Sequence, residues 1–258
     1  MSSAGGVITV VTGAAGLLGA QICLELAGQG AQVIAVDAAA AVIEGVQMVH
    51  ADVSDARSIA AVAASIAADH GRVDRLVHAA ALTGRTPGGG VSGELAGFDI
   101  GVWRALIDVN LTGALICVQQ FLGLLRRSRA PRVLLLGSIQ GLVPTLGTGA
   151  YGVSKAALIA LTRQLAAELA GDAITVNMIA PGPIIAGAAG DRSLSDDHPT
   201  PLGRYGSPQE VARAVADVLG ESFQFMTGAV IPVDGGEHLR PRRGPVQVED
   251  PHTSSDRS

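Results

Sequence analysis

Lysine is almost missing from this chain: Lys155 is the only one, and the other seventeen of its 18 basic residues are arginine. Cysteine occurs twice, at Cys23 and Cys117, without metal-ligand spacing, which excludes a thiolate metal centre or disulfide framework and leaves two buried, reduced thiols. Charged side chains make up only 16%, and 18 basic against 23 acidic residues leave −5 spread along the chain. The electrostatic footprint of a nucleic-acid or anionic-membrane binder is therefore missing, and small-molecule partners are expected. No uninterrupted apolar run reaches the ~20 residues of a bilayer-spanning helix, and no basic leader precedes the first strand at Val7, so a cytoplasmic protein is expected. The 34 glycines follow no Gly-X-Y period, which excludes collagen, and 48% hydrophobic content excludes a disordered chain. Tyrosine and asparagine each occur twice (Tyr151, Tyr205; Asn110, Asn177), so each is a candidate for a particular task.

What is present suits one α/β domain of 258 residues. Short β-branched runs alternate with Ala/Leu-rich stretches of helical period, the pattern of a parallel sheet covered on both faces. It predicts strands over 7–12, 32–37, 46–50, 74–79, 131–138, 173–180 and 229–233. Helices are predicted over 17–29, 55–70, 101–127, 149–170 and 207–219. Two segments break the alternation, 82–97 and 182–206, and both follow the carboxyl end of a strand, where open α/β sheets bind ligands. Residues 1–238 read as one nucleotide-binding unit that includes the substrate loop, and 239–258, with Pro241, Pro245 and Pro251, as a disordered tail.

The first predicted strand runs into Thr12-Gly13-Ala14-Ala15-Gly16-Leu17-Leu18-Gly19, which opens a helix. In that context Gly13 permits a tight turn, Gly16 lets backbone approach a pyrophosphate and Gly19 lets helix pack on sheet, with the amides of Leu17 and Leu18 at the helix start. Eighteen residues past Gly19 the second strand ends at Asp37, whose carboxylate can accept both adenosine ribose hydroxyls and would repel a 2′-phosphate. Ala15 and Ala38 to Ala41 supply no cation for that phosphate, which favours NAD over NADP. Asp52, in Asp52-Val53 after the third strand, fits either an adenine contact or an ordinary turn aspartate.

Tyr151 and Lys155 stand four residues apart at a helix start, on one helical face. A phenol with a pKa of ~10 is a poor base at neutral pH, and a neighbouring ammonium favours its phenolate. Ser138, at the end of the strand thirteen residues earlier, can hydrogen-bond a substrate oxygen.

With Asn110 in Asp108-Val109-Asn110, Pro181-Gly182 after Asn177, Pro201-Leu202-Gly203-Arg204 and Val233-Asp234-Gly235-Gly236, the set resembles the short-chain dehydrogenase/reductase family over about residues 7–236. The resemblance implies a Rossmann-type doubly wound parallel sheet in a single domain, bound NAD and no metal. It implies that Tyr151 is the general acid/base, that Lys155 lowers the phenol pKa and holds the nicotinamide ribose, and that Ser138 orients the reacting carbonyl. Asn110 would hold a water linking Lys155 to solvent. Asp52, Val53 and Ala79 would lie along the cofactor, with Pro181, Gly182 and the backbone of Ile184 against the nicotinamide.

Departures accompany the matches. The family's turn is usually TGxxxGxG, whereas this chain has TGxxGxxG, as in sugar-nucleotide-modifying relatives. His78-Ala79-Ala80-Ala81 replaces Asn-Asn-Ala-Gly, and His78, lacking an acidic partner, reads as structural. Ala186 stands where a cofactor-bonding threonine is common. The leading expectation is an NAD-dependent oxidoreductase interconverting a secondary alcohol and a ketone. An NAD-dependent sugar-nucleotide epimerase or dehydratase and a non-catalytic NAD-sensing protein are the alternatives. Leu82, Ile139, Gln140, Leu142, Val143 and the 184–205 loop are the expected walls of a largely apolar substrate pocket. Only Arg104 and Asp108 are charged between Gly101 and Leu125, so a further apolar face is expected to be covered in a homo-oligomer, by resemblance a tetramer.

Overall fold

The seven predicted strands form one sheet in the computed structural model, which describes residues 6–83, 95–185 and 200–239. They are β1 (Ile8–Thr12), β2 (Gln32–Asp37), β3 (Gln47–His50), β4 (Arg75–His78), β5 (Arg132–Leu136), β6 (Thr175–Pro181) and β7 (Val230–Val233). The order is β3-β2-β1-β4-β5-β6-β7, and every pairing is parallel. From β1 the chain winds outward to β3, then crosses back to β4 on the other side of β1. Its direction reverses there, so the carboxyl ends of β1 and β4 open a crevice. All five residues of β1 and of β5 are buried, as central parallel strands covered on both faces require.

Period-two alternation sends neighbouring residues to opposite cores. Val10 and Leu135 join Ile59, Phe121 and Leu158 beneath α2 (Ala56–Asp69), α4 (Gly113–Leu125) and α5 (Gly149–Leu169). Val11 and Leu134 join Ile22, Leu26, Val211 and Val215 beneath α1 (Leu17–Gly28) and α6 (Pro208–Val218). Truncating the fully buried Phe121 to alanine would cost ~3–5 kcal/mol.

Helix starts follow their capping chemistry. The Ser207 hydroxyl accepts from the Glu210 amide while the Glu210 carboxylate accepts from the Ser207 amide, and Pro208 opens the helix. Asp55 caps α2 through the Arg57 amide. Helix α1 starts at Gly16 with no side-chain cap.

The single helix expected over 101–127 is instead α3 (Ile100–Ile107), a π-helical turn over Asp108–Thr112, and α4. The widened turn buries Asn110 completely. The stretch Ile100–Leu125 is also long and apolar enough to cross a membrane by length and composition, contrary to the reading of apolar runs alone, because two isolated charges do not interrupt it. Here its inner face packs on the sheet core. Of the expected tail, Leu239 closes a 3-10 turn over Glu237–Leu239, which Asp234 holds by accepting from the His238 amide and ring. Residues 240–258, and Ala186 in the substrate loop, lie outside the described residues.

Candidate active site

Gly13 has φ +71°, and a Cβ there would lie 2.4 Å from the Ala80 amide nitrogen, so turn and crevice wall touch backbone to backbone. A Cβ on Gly19 would lie 2.0 Å from the Gly13 carbonyl oxygen. These two glycines lay the uncapped start of α1 against the end of β1, with Gly16 and Leu17 exposed at the crevice. Amides without a side-chain cap, at the positive end of a helix dipole, suit a pyrophosphate. The residues present therefore fit a dinucleotide.

Asp37 ends β2 beside this turn. Its Oδ2 accepts from the Ala15 amide at 2.9 Å and its Oδ1 from the Ala39 amide at 2.8 Å. The carboxylate thus fixes the glycine turn, and each oxygen keeps a lone pair for a ribose hydroxyl. Asp52 accepts through Oδ1 from the amide and hydroxyl of Ser54, the turn role left open by its position. Val53 is buried against Gly113 of α4, which makes it a support beneath the crevice. Ala79 follows β4 and donates its amide to the Thr12 carbonyl. Pro181 ends β6, Gly182 donates to Val233 and packs on Asp234, and Ile184 bridges to Gly206, all at the same edge of the sheet.

The end of β5 meets the start of α5 at this edge. Ser138 is nearly buried, and its Oγ accepts from the Gln140 amide at 3.2 Å. Lys155 is 2% exposed and donates to the Leu136 carbonyl at 2.8 Å, with its Nζ 5.6 Å from the Tyr151 ring centroid. Desolvation lowers the Lys155 amine to about 8. Burial raises the Tyr151 phenol above its ordinary value, and a hydrogen bond with Ser138 pulls it the other way. The depression of the phenol expected from Lys155 is not what this arrangement produces, because burial outweighs the other influences on the phenol and the ammonium is engaged by Leu136.

Asn110 connects three chain segments. Its Oδ1 accepts from the Leu82 amide at 2.7 Å, and its Nδ2 donates to the Leu82 carbonyl at 2.9 Å and to Ser154 Oγ at 3.0 Å. Both side-chain donors are occupied, so a water here has only the main-chain carbonyl and one remaining Oδ1 lone pair. Ser154, which also donates to the Tyr151 carbonyl, was not singled out in the sequence. Its signal is a serine in the interior of a helix, directly before the lone lysine.

His78 ends β4 at 1% exposure, with Nδ1 3.0 Å from Thr12 Oγ1 and Nε2 buried without a partner among the described residues. Desolvation, and then repulsion from Lys155, push its pKa down to about 3. Beside the site a cleft of about 510 Å³ is lined by Gln140, Leu142, Leu146 and Val153 among others. Ile139 is buried at 5% exposure and cannot wall a pocket, a correction that follows from the 3-10 turn Ile139–Gly141 tucking its side chain inward.

An uncapped helix start beside a Ser–Tyr–Lys cluster, on a Rossmann-type sheet, is an arrangement that suits a nicotinamide-dependent oxidoreductase. Residues 13–238 match the family model described as enoyl-(acyl carrier protein) reductase. Cis-4-hydroxycyclohexanecarboxylate dehydrogenase of Sinomonas cyclohexanicum is 32% identical over 243 residues, covering 89% of this chain and 95% of that protein. The rhamnolipids biosynthesis 3-oxoacyl-(acyl-carrier-protein) reductase of Pseudomonas aeruginosa is 35% identical, covering 92% and 98%. Among solved structures, ligand-free aldohexose dehydrogenase of Thermoplasma acidophilum superposes with a TM-score of 0.82 at 27% identity, covering 93% of this chain and 96% of that one. The chain belongs to the short-chain dehydrogenase/reductase family, whose members bind a nicotinamide cofactor.

Proposed function

We propose that this protein is an NAD-dependent oxidoreductase that interconverts a secondary alcohol and a ketone on a small, largely apolar substrate. The observation that carries the reading is the convergence of Ser138, Tyr151 and the sole lysine at one strand end, with the lysine ammonium buried 5.6 Å from the phenol ring. The uncapped start of α1, with Gly13, Gly16, Leu17, Leu18 and Gly19, would hold the pyrophosphate, and Asp37 the adenosine ribose. Lys155 would hold the nicotinamide ribose, and Pro181, Gly182 and Ile184 would flank the ring. The cofactor, when bound, supplies or accepts the hydride. In the oxidising direction Tyr151 takes the proton of the substrate hydroxyl through its phenolic oxygen, and in reduction it returns that proton to the carbonyl oxygen. Ser138 donates to the same oxygen and keeps it facing Tyr151. Lys155 disfavours a protonated neighbour and so draws the phenol toward its working range once a ribose and substrate complete the pocket. Asn110 positions Ser154 and the Leu82 segment.

Asp37 without a nearby cation supports NAD over NADP. The apolar walls Leu142, Leu146 and Val153 support a ring or acyl substrate. Well under half of the most apolar stretch within Ile100–Leu125 is buried in one chain, which supports a homotetramer closing over that face. A screen of alcohols and ketones followed by NADH and NADPH absorbance tests the reading; turnover with neither cofactor on any secondary alcohol or ketone refutes it.

A further inference from the structure

At the amino ends of the central strands, opposite the edge that carries Tyr151, lies a cleft of about 640 Å³ that the reaction leaves unused. Arg72, Arg75, Arg127, Arg129 and Arg132 line it, and its carboxylates are Asp74 and Glu221. Five guanidinium groups against two carboxylates concentrate positive charge here, although the whole chain carries −5. The cleft is within the size range of small-molecule sites.

The charges are only partly matched by the protein itself, with Asp74 and Glu221 acting on Arg75 and Glu221 on Arg132. Arg75 of β4 and Arg132 of β5 are directly paired in the parallel ladder, so two like charges stand across from each other, which weakens a sheet. Arg132 is only 6% exposed and donates Nη1 to the Gly220 carbonyl at 2.7 Å. Burial, followed by repulsion from Arg132, lowers the pKa of Arg75, while Asp74 and Glu221 pull it the other way. Asp74 is already engaged by the Ile8 amide, Arg72 and the Ser128 hydroxyl. Glu221 forms no ion pair among the described residues, and Arg75 and Arg129 form neither a hydrogen bond nor an ion pair there. An excess of guanidinium groups over carboxylates, with Arg75 and Arg132 partly desolvated and Arg129 exposed beside them, is a cost that an anion in the cleft would offset.

We propose that this cleft is a binding site for a small multivalent phosphate, gripped by the forked guanidinium groups of Arg75, Arg129 and Arg132. Arginine forks match the paired oxygens of a phosphate, and two forks on adjacent strands fix its place. The site is distinct from the dinucleotide crevice. Ser138 lies six residues along the chain from Arg132, about 20 Å at ~3.3 Å per strand residue.

The test is calorimetric titration of the full chain with inorganic pyrophosphate and with a phosphate monoester, at constant ionic strength and with saturating NAD or NADP occupying the α1 turn. Melting temperature is read in parallel. The wild type binds and gains melting temperature. Arg75→Gln combined with Arg129→Gln loses affinity by at least roughly tenfold and loses the gain. Arg163→Gln, on the outer face of α5, keeps both. Without phosphate, Arg75→Gln melts at or above the wild-type temperature, because a like-charge opposition has been removed. Tighter binding of the monoester assigns the site to an organic phosphate, and tighter binding of pyrophosphate to a free one. Absence of binding, unchanged affinity in the double variant, an equal response to chloride, or a lower melting temperature for Arg75→Gln would each overturn the proposal.

Discussion

Acid should weaken this protein through His78, and the effect can be isolated. The imidazole is held neutral in the folded chain, with a pKa pushed from 6.5 to about 3 by burial and by Lys155. An unfolded chain protonates it near its ordinary value, so below that pH the unfolded state binds more protons and stability falls as pH falls. With those two values the loss between about pH 7 and about pH 5 is about 2 kcal/mol, and it continues at about 1.4 kcal/mol per pH unit toward the folded value. Lys155, lowered to about 8, stays protonated in both states over that window and drops out of the difference. Glu210, lowered to about 2 chiefly by its Arg204 hydrogen bond, loses its contribution only below the ordinary carboxylate range. His78→Asn keeps a polar atom toward Thr12 Oγ1 and removes the titration. Urea unfolding of both proteins at one fixed concentration should show the wild type losing about 2 kcal/mol more than the variant between those two pH values. Equal losses would refute the argument and mean that the buried ring accepts a proton without cost.

Three further outcomes are expected. Tyr151→Phe should cut turnover on the preferred substrate by roughly 10² to 10⁴ while dinucleotide affinity, read by fluorescence titration, changes little; near-normal turnover contradicts the acid/base assignment. Asp37→Ala with Ala38→Arg should move the kcat/KM ratio toward NADP, and the ratio is the proper readout because Ala15 also loses its acceptor. Gly19→Ala, which sets a Cβ 2.0 Å from the Gly13 carbonyl, should cost ~1–3 kcal/mol or more in chemical denaturation; a neutral result means that the turn gives way.

The strands and helices were legible because parallel strands buried on both faces leave continuous Val, Ile and Leu runs, and because glycines mark where β1 enters α1. All seven strands lie within two residues of the ends predicted for them. Asn110 was found as a residue and not as a geometry: a stretch apolar on every side has no periodicity in which a five-residue turn could show. Ile139, expected as a pocket wall, is turned inward by the 3-10 turn that follows β5. The arginine pairing of β4 and β5 was invisible for another reason, since strand register joins positions 57 residues apart and no local pattern reports it.

Asn110 ties Leu82 and Ser154, which stand 28 and 44 residues away from it in opposite directions along the chain. Its two bonds to Leu82 close one long loop and its bond to Ser154 closes another, so each must offset the loop entropy of its own separation. Holding Asn110 in place therefore costs more loop entropy than the Gly13–Gly19 contact, although the glycine turn also rests on Ala80 and Asp37. The same bonds couple the segment after β4 to the start of α5, so that loosening one loosens the other when the native state fluctuates.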